Sequence, residues 1–248
     1  METLTSLKNP RIQAWRALKD RKARRMSGTF LVEGPKMLEE AVTSGEALEA
    51  VLVQEDRVNE FALPGDAPLF ALPAHVLAAV CDTKTPQGVA AVVHIPSRPM
   101  RGDRLIALDG VQDPGNVGTI IRTADAAGFD GVLLSVQCAD PYSPKVLRAT
   151  MGSVFHLPIA VTDDLPGALL SMKGEGMSVI SSQLDGEPFY SASGLNDRFC
   201  LVIGSEGNGV SAPVRELATH RLMLPMRGRA ESLNAAVAAG VMMYELMK

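Results

Sequence analysis

The chain has 248 residues, of which 46% are hydrophobic and 21% charged, with a formal net charge of −4. Those proportions suit a globular core and exclude a disordered or collagen-like chain. Three scattered cysteines (Cys81, Cys138, Cys200) without CxxC spacing exclude a disulfide framework and a cysteine zinc site, and they point to a reducing cytoplasm.

The opening METLTSLKNPRIQAW lacks the apolar core of a signal peptide, and no run approaches the ~18 apolar residues of a membrane span. A cytoplasmic protein without a membrane partner is expected. Asn9-Pro10 should cap and start a helix with Ile12, Trp15 and Leu18 on one face. Charge is unevenly spread here. Residues 1–36 hold nine Lys/Arg against three Asp/Glu, a net of +6, whereas the remainder holds 15 against 25, a net of −10. Lys19, Arg21, Lys22, Arg24 and Arg25 crowd into KDRKARR. That segment reads equally as a phosphate-binding surface or as the solvated end of the same amphipathic helix.

TFLVEG then reads as a strand, residues 35–45 as a helix, and LEAVLVQ, PLFALP and VAAVVHIP as further strands, with a short helix at 75–80. These make a small α/β domain over residues 1–96. The Pro-, Gly- and Arg-rich residues 97–104 read as a linker. From residue 105 the pattern changes. Apolar strands LIALDG, GVLLSV, LPIAV, MSVISSQ, FCLVIGSE and RLMLPM alternate with helices at 116–127, 143–151, 164–172, 212–218 and 232–247. Continuous apolar strands alternating with helices predict a parallel sheet covered on both faces.

Several chemistries find no support. GxxxxGK[ST], GxGxxG and GxSxG are all missing, and His75, His94, His156 and His220 stand apart from one another and from the cysteines, so no metal is expected. In open α/β sheets ligands bind beyond the carboxyl ends of strands, and three unusual sequences fall there. In LDGVQDPGNVGTIIRTADAAG, Asn116 can cap a helix that carries Arg122 among Ile, Ala and Gly. LVIGSEGNGVS places Gly204, Glu206, Gly207 and Gly209 after an apolar strand. LPMRGRAESLNAAVAAG ends a strand near Met226 and offers Ser232 as the cap of the last helix, with Asn234 beside it. Each alone reads as a turn or a cap.

Together and in this order, NVGTIIR, GSEGNGV and LPMRGRAESLNAAVA resemble the three motifs of the SpoU-type (TrmH-like) RNA ribose 2′-O-methyltransferases of the SPOUT superfamily. The likeness spans residues 105–248. Residues 1–95, through FLVEGPKMLEEAV and QGVAAVV, look like the ribosomal-protein-like substrate-binding domain that often precedes the catalytic one. The resemblance implies an α/β fold with a trefoil-knotted parallel-sheet domain, a homodimer, S-adenosyl-L-methionine as methyl donor, and RNA as substrate, with rRNA favoured over tRNA. It implies Arg122, Asn116, Glu206, Ser232 and Asn234 as catalytic, and Gly204, Leu224, Met226, Gly228 and Leu233 as cofactor-binding. A tRNA-directed enzyme, a base-nitrogen methyltransferase of the same fold, an inactive RNA-binding homologue and a small-molecule enzyme are the competing readings.

Overall fold

The computed structural model describes residues 1–191 and 194–248. It forms two compact units, Met1–Ser97 with Tyr142–Phe155, and Arg98–Pro141 with His156–Lys248.

The first unit runs β1 (Glu2–Thr3), α1 (Pro10–Ala17), α2 (Arg21–Ser27), β2 (Thr29–Glu33), α3 (Pro35–Thr43), β3 (Leu48–Gln54), a 3₁₀ turn (Glu55–Glu60), β4 (Leu69–Leu72), α4 (Ala74–Val80) and β5 (Val89–His94). The sheet order is β1-β4-β3-β5-β2, with β5 antiparallel to both of its neighbours. Side chains alternate faces along a strand, and β2 shows both. Leu31 joins Ile12, Trp15, Leu18, Leu52, Leu72 and Leu77 in one core, where Trp15 meets Phe70 edge-on at 5.1 Å. Phe30 takes the other face and stacks near Tyr142 and Phe155, at 4.8 and 6.1 Å. The helix Pro144–Thr150 (α6 in chain order) therefore belongs to the first unit, although it lies among the strands of the second in sequence.

Asn9 does cap α1, accepting the Arg11 N–H at 2.9 Å. The basic segment departs from expectation. It is not the end of α1 but a second helix, because Asp20 breaks the run and caps α2 through the N–H groups of Lys22 and Ala23 at 2.7 and 3.3 Å. Arg24 is buried, and its guanidinium donates to the carbonyls of Leu18 and Lys19 at 2.6 and 2.9 Å, closing the free end of α1. Lys19 likewise donates to the Ala79 and Cys81 carbonyls at 3.1 and 2.6 Å, at the end of α4. Arg24 cannot reach a phosphate from there, and the Lys19 ammonium is already held. Of the expected cations, Lys19, Lys22 and Arg25 are exposed, Lys19 with its ammonium engaged, and Arg21 is half-buried.

The second unit runs β6 (Arg104–Asp109), α5 (Pro114–Ala127), β7 (Gly131–Ser135), β8 (Ile159–Thr162), α7 (Leu165–Gly174), β9 (Ser178–Pro188), β10 (Phe199–Gly204), α8 (Ala212–Leu217), β11 (His220–Met223) and α9 (Ala235–Leu246). Its sheet, in the order β11-β9-β10-β6-β7-β8, pairs in parallel throughout, as the apolar strands predict. On one face α7 and α8 cover Leu105, Val179, Cys200 and Val202; α9 packs on α5 and against β10. The chain leaves β6 toward β7 and β8, then returns on the other side through β10. Strand order thus reverses between β6 and β10, whose ends Asp109 and Gly204 are in register. That is where an open parallel sheet leaves a crevice for a ligand.

An Arg24→Met variant should lower the unfolding free energy of the first unit by about 2–3 kcal/mol, because one buried and one partly buried carbonyl lose a charged donor. Lys22→Ala on the exposed face should stay within about 0.5 kcal/mol. Urea unfolding followed by the fluorescence of Trp15, the single tryptophan, distinguishes them.

Candidate active site

Three connections leave the carboxyl ends of β6, β10 and β11 and meet over the reversal point. After β6, Gly110 turns with φ +71° and donates its N–H to Ser135 Oγ at 3.0 Å. Asp113 then caps α5 by accepting the Asn116 N–H at 2.9 Å, with Pro114 at the first helical position. Asn116 was expected as this cap; with the role taken by Asp113, its side-chain amide is left to project from the first turn.

After β10 the chain closes a tight loop in which Ser205 and Gly209 exchange backbone hydrogen bonds at 3.0 and 2.9 Å. Gly209 takes φ +66°, a conformation that suits glycine. A Cβ on Gly204 would fall on the Gly209–Val210 peptide, so no larger residue fits while the loop closes. The Ser211 N–H donates to Asp109 Oδ2 at 2.8 Å, tying this loop back to the end of β6. Glu206, Gly207 and Asn208 form its exposed tip.

After β11 an irregular connection leads to α9, which begins at Ala235 rather than Ser232. Asn234 is its cap, accepting the N–H groups of Ala236 and Val237 at 2.9 and 3.3 Å. Ser232 lies outside the helix in the connection.

The three connections are joined by a polarised line of hydrogen bonds. Asn234 Nδ2 donates to Asn116 Oδ1 at 3.0 Å, and Asn116 Nδ2 donates to Glu206 Oε1 at 2.7 Å. Because Asn234 Oδ1 accepts from α9, its amino group must point away, toward Asn116; Asn116 in turn presents its own amino group to a carboxylate. Burial alone lifts the Glu206 carboxyl, but the Asn116 bond and the backbone N–H groups of Glu206, Gln112 and Asp113 outweigh it and hold the group below the ordinary carboxylate range.

Beside this line opens a cavity of about 670 Å³, within the ~300–1,000 Å³ of small-molecule sites. Gly204, Glu206, Leu224, Met226, Ser232, Leu233 and Asn234 line it, with Ile203, Asn208 and Ala238 among others. Asn116 reaches it through Glu206 and Asn234. Gly228 and Arg122 do not line it; Arg122 is exposed on α5, and its guanidinium makes no hydrogen bond or ion pair inside the chain among the described residues. Sequence reasoning missed Ser182, Gln183, Leu184, Asp185 and Arg215 in the lining. The first four belong to a bulge. Ser181 and Glu187 of β9 pair with consecutive residues of β11, so the intervening residues loop out. The signal was the abrupt change from the apolar MSVI to SSQLDGE, where a strand pattern fails.

The thiols take no part in the site. Burial pushes Cys81 and Cys200 up to about 12 and raises Cys138, far from the thiolate a nucleophile needs. Among the described residues, no group of three or more His, Cys, Asp or Glu side chains could hold a metal ion, and no helix is long and apolar enough to cross a membrane.

A parallel sheet whose reversal point carries three interlocked loops defines a class of protein, and comparison with known proteins gives the family. A model of the SpoU rRNA methylase family matches residues 103–244, and one of an MRM3-like substrate binding domain matches residues 9–91. The chain belongs to the SpoU rRNA methylase family. It is 39% identical over 247 residues to the 23S rRNA (guanosine(2553)-2′-O)-methyltransferase RlmP of Bacillus subtilis (strain 168), covering 99% of each chain. The AdoMet-bound rRNA methyltransferase of Sinorhizobium meliloti superposes with a TM-score of 0.86 at 32% identity, over 99% of this chain and 97% of that one. The SpoU methyltransferase AviRb of Streptomyces viridochromogenes, in complex with AdoMet, gives 0.85 at 29% identity over 97% of both.

The depressed Glu206 has a consequence for pH. Its ionised form supports the line of hydrogen bonds fully above the ordinary carboxylate value of 4.5, and that support fades as pH falls through the lower folded value. Asn116→Ala removes the side-chain donor, so the Glu206 titration should move up toward 4.5 when read from its carboxyl ¹³C shift. A titration that stays put would mean that Asn116 contributes nothing to the depression.

Proposed function

We propose that this protein transfers a methyl group from S-adenosyl-L-methionine to a ribose 2′-hydroxyl of ribosomal RNA. The observation that carries the reading is the Asn234–Asn116–Glu206 line, which joins the three family motifs at the edge of one cavity. Membership of the family, the B. subtilis relative along the whole chain and the AdoMet-bound structures support the substrate and the cofactor.

The cavity fits such a cofactor by the chemistry of its lining. Ile203, Leu224, Met226, Leu233 and Ala238 offer apolar surface to a nucleoside, and the backbone of the Gly204–Gly209 loop offers N–H and C=O groups to its polar edges. Gly204, Leu224, Met226 and Leu233 would hold it, with Gly228 keeping their connection supple. When bound, S-adenosyl-L-methionine supplies a sulfonium-activated methyl group.

What remains for the protein is the nucleophile. A 2′-hydroxyl is weak, so it must be held in line and relieved of its proton. Arginine stays protonated at pKa above ~12 and is a poor base. Arg122 therefore acts as a clamp on the neighbouring phosphate and on the developing alkoxide, and the proton passes to a phosphate oxygen or to water. Asn116, Glu206 and Asn234 arrive pre-oriented by their mutual bonds, and Ser232 joins them from the same connection to position the ribose.

The knot and the homodimer belong to this reading. The connection after β11 starts at one edge of the sheet, and α9 returns to pack on α5 and β10 near its middle, which supports a threaded chain. Val237 and Tyr244, two turns apart on α9, are 53% and 55% exposed, which supports self-association. A second copy packed there offers Arg122 a cavity other than the one it fails to line in its own chain. The buried, unpaired thiols suit a cytoplasmic protein.

Tritiated cofactor incubated with unmodified rRNA and tRNA separately, followed by alkaline digestion and nucleoside mapping, tests the reading. Label in an alkali-resistant dinucleotide from rRNA is expected. Label on a base, or only in tRNA, would replace the substrate, and cofactor binding without transfer to any RNA would favour an inactive RNA-binding homologue. Arg122→Ala should lower turnover by about 10²–10³-fold with cofactor affinity unchanged by calorimetry. Near-wild-type turnover in that variant would refute the clamp.

A further inference from the structure

Several cations of the second unit are engaged within it. Arg198 pairs with Asp103 at 3.0 Å and donates to the Glu175 carbonyl at 2.6 Å. Lys173 donates to the Leu217 carbonyl at 2.8 Å, Arg221 to the Arg215 carbonyl at 3.1 Å, and Lys248 pairs with Glu245 at 2.6 Å. The β11–α9 connection is different. Its first part, Leu224 and Met226, and its last part, Ser232, Leu233 and Asn234, line the cavity, whereas residues 227–231 between them are exposed and do not. Those residues read RGRAE. Among the described residues, neither Arg227 nor Arg229 makes a hydrogen bond or ion pair within the chain, not even with the neighbouring Glu231.

Both ends of this connection thus line the cavity, and its exposed middle carries two uncommitted guanidinium groups, one on either side of Gly228. Residues 37–248 carry a net −10, so the pair forms a positive site on an acidic body, and such a site attracts anions. Each guanidinium keeps its five donors in a fork that matches two phosphate oxygens. The basic segment of the first unit is a weaker candidate, since Arg24 and Lys19 are committed to helix ends.

We propose that Arg227 and Arg229 grip the phosphodiester backbone of the RNA strand whose ribose enters the cavity. The proposal rests on the RNA-methylation reading above and adds the residues that hold the strand. The contact reads charge and not base, so it positions the target without selecting its sequence. The cofactor site should be untouched, because neither arginine lines the cavity.

The test is the salt dependence of binding to unmodified large-subunit rRNA transcribed in vitro. Loss of two phosphate contacts on a single strand should flatten the slope of log K against log salt by about 1.4, at roughly 0.7 per phosphate. Arg227→Ala/Arg229→Ala is expected to show that change with calorimetric S-adenosyl-L-methionine affinity within about twofold, and Arg227→Lys/Arg229→Lys should recover most of the slope. An unchanged slope in the alanine double variant would overturn the proposal, as would a change confined to Lys22→Ala/Arg25→Ala in α2. A loss of cofactor affinity with the RNA slope intact would also overturn it, and would assign the arginines to the cofactor's carboxylate. Wild-type protein that binds RNA but no cofactor would refute the methylation reading, while the slopes would still decide the phosphate grip.

Discussion

Asn116 has one side-chain amide, and the site depends on both ends of it being in use. Its carbonyl oxygen accepts from Asn234 and its amino group donates to Glu206. The direction of the line is set from one end, where Asn234 must turn its oxygen to the free N–H groups of α9. With that fixed, only one orientation of Asn116 avoids placing donor against donor, and it demands an acceptor at position 206. An ionised carboxylate is the strongest acceptor a side chain offers, and the hydrogen bonds around Glu206 keep it ionised. Helix capping, loop registration and the electrostatics of the site are therefore one chain of constraints.

The sheet decides where that chain can form. Parallel strands all end on one side, and the reversal between β6 and β10 puts Asp109 beside Gly204. The Asp109 side chain then holds the Ser211 N–H, and the Gly204–Gly209 approach leaves no space for a Cβ. Glycine at 204 is thus a packing requirement of the loop, met by the same residue whose backbone faces the cavity. Glycine at 209 meets a different need, that of a positive φ.

The first unit shows how charge can mislead. A cluster such as KDRKARR invites a reading as a nucleic-acid surface, but a helix that ends in a core leaves carbonyls needing donors. Arg24 and Lys19 supply them for α1 and α4. Arg227 and Arg229, uncommitted in the connection whose two ends line the cavity, are only two residues apart and do not stand out as a run.

Much of the fold could be read from residue patterns, and the loops that line the cavity from the family resemblance those patterns carry. Apolar runs long enough for buried strands, Pro at helix starts and Gly at their ends mark the elements, because these are local preferences of the backbone. The parallel sheet follows from their alternation, whereas the three motifs stand out only together and in order, since each alone reads as a turn or a cap. The places where the reading failed share one cause. Asn116 and Ser232 were each plausible caps, and nothing local could show that Asp113 and Asn234 would cap α5 and α9 instead. Helix Pro144–Thr150 joins the first unit because Phe30 needs cover from Tyr142 and Phe155, a demand set more than a hundred residues earlier in the chain. The bulge of β9 exists only against β11. Local sequence determined which elements form and which chemistry they carry. The tertiary structure alone decided which polar groups remained free for that chemistry, because a donor is free only after every neighbour brought in by folding has taken its share.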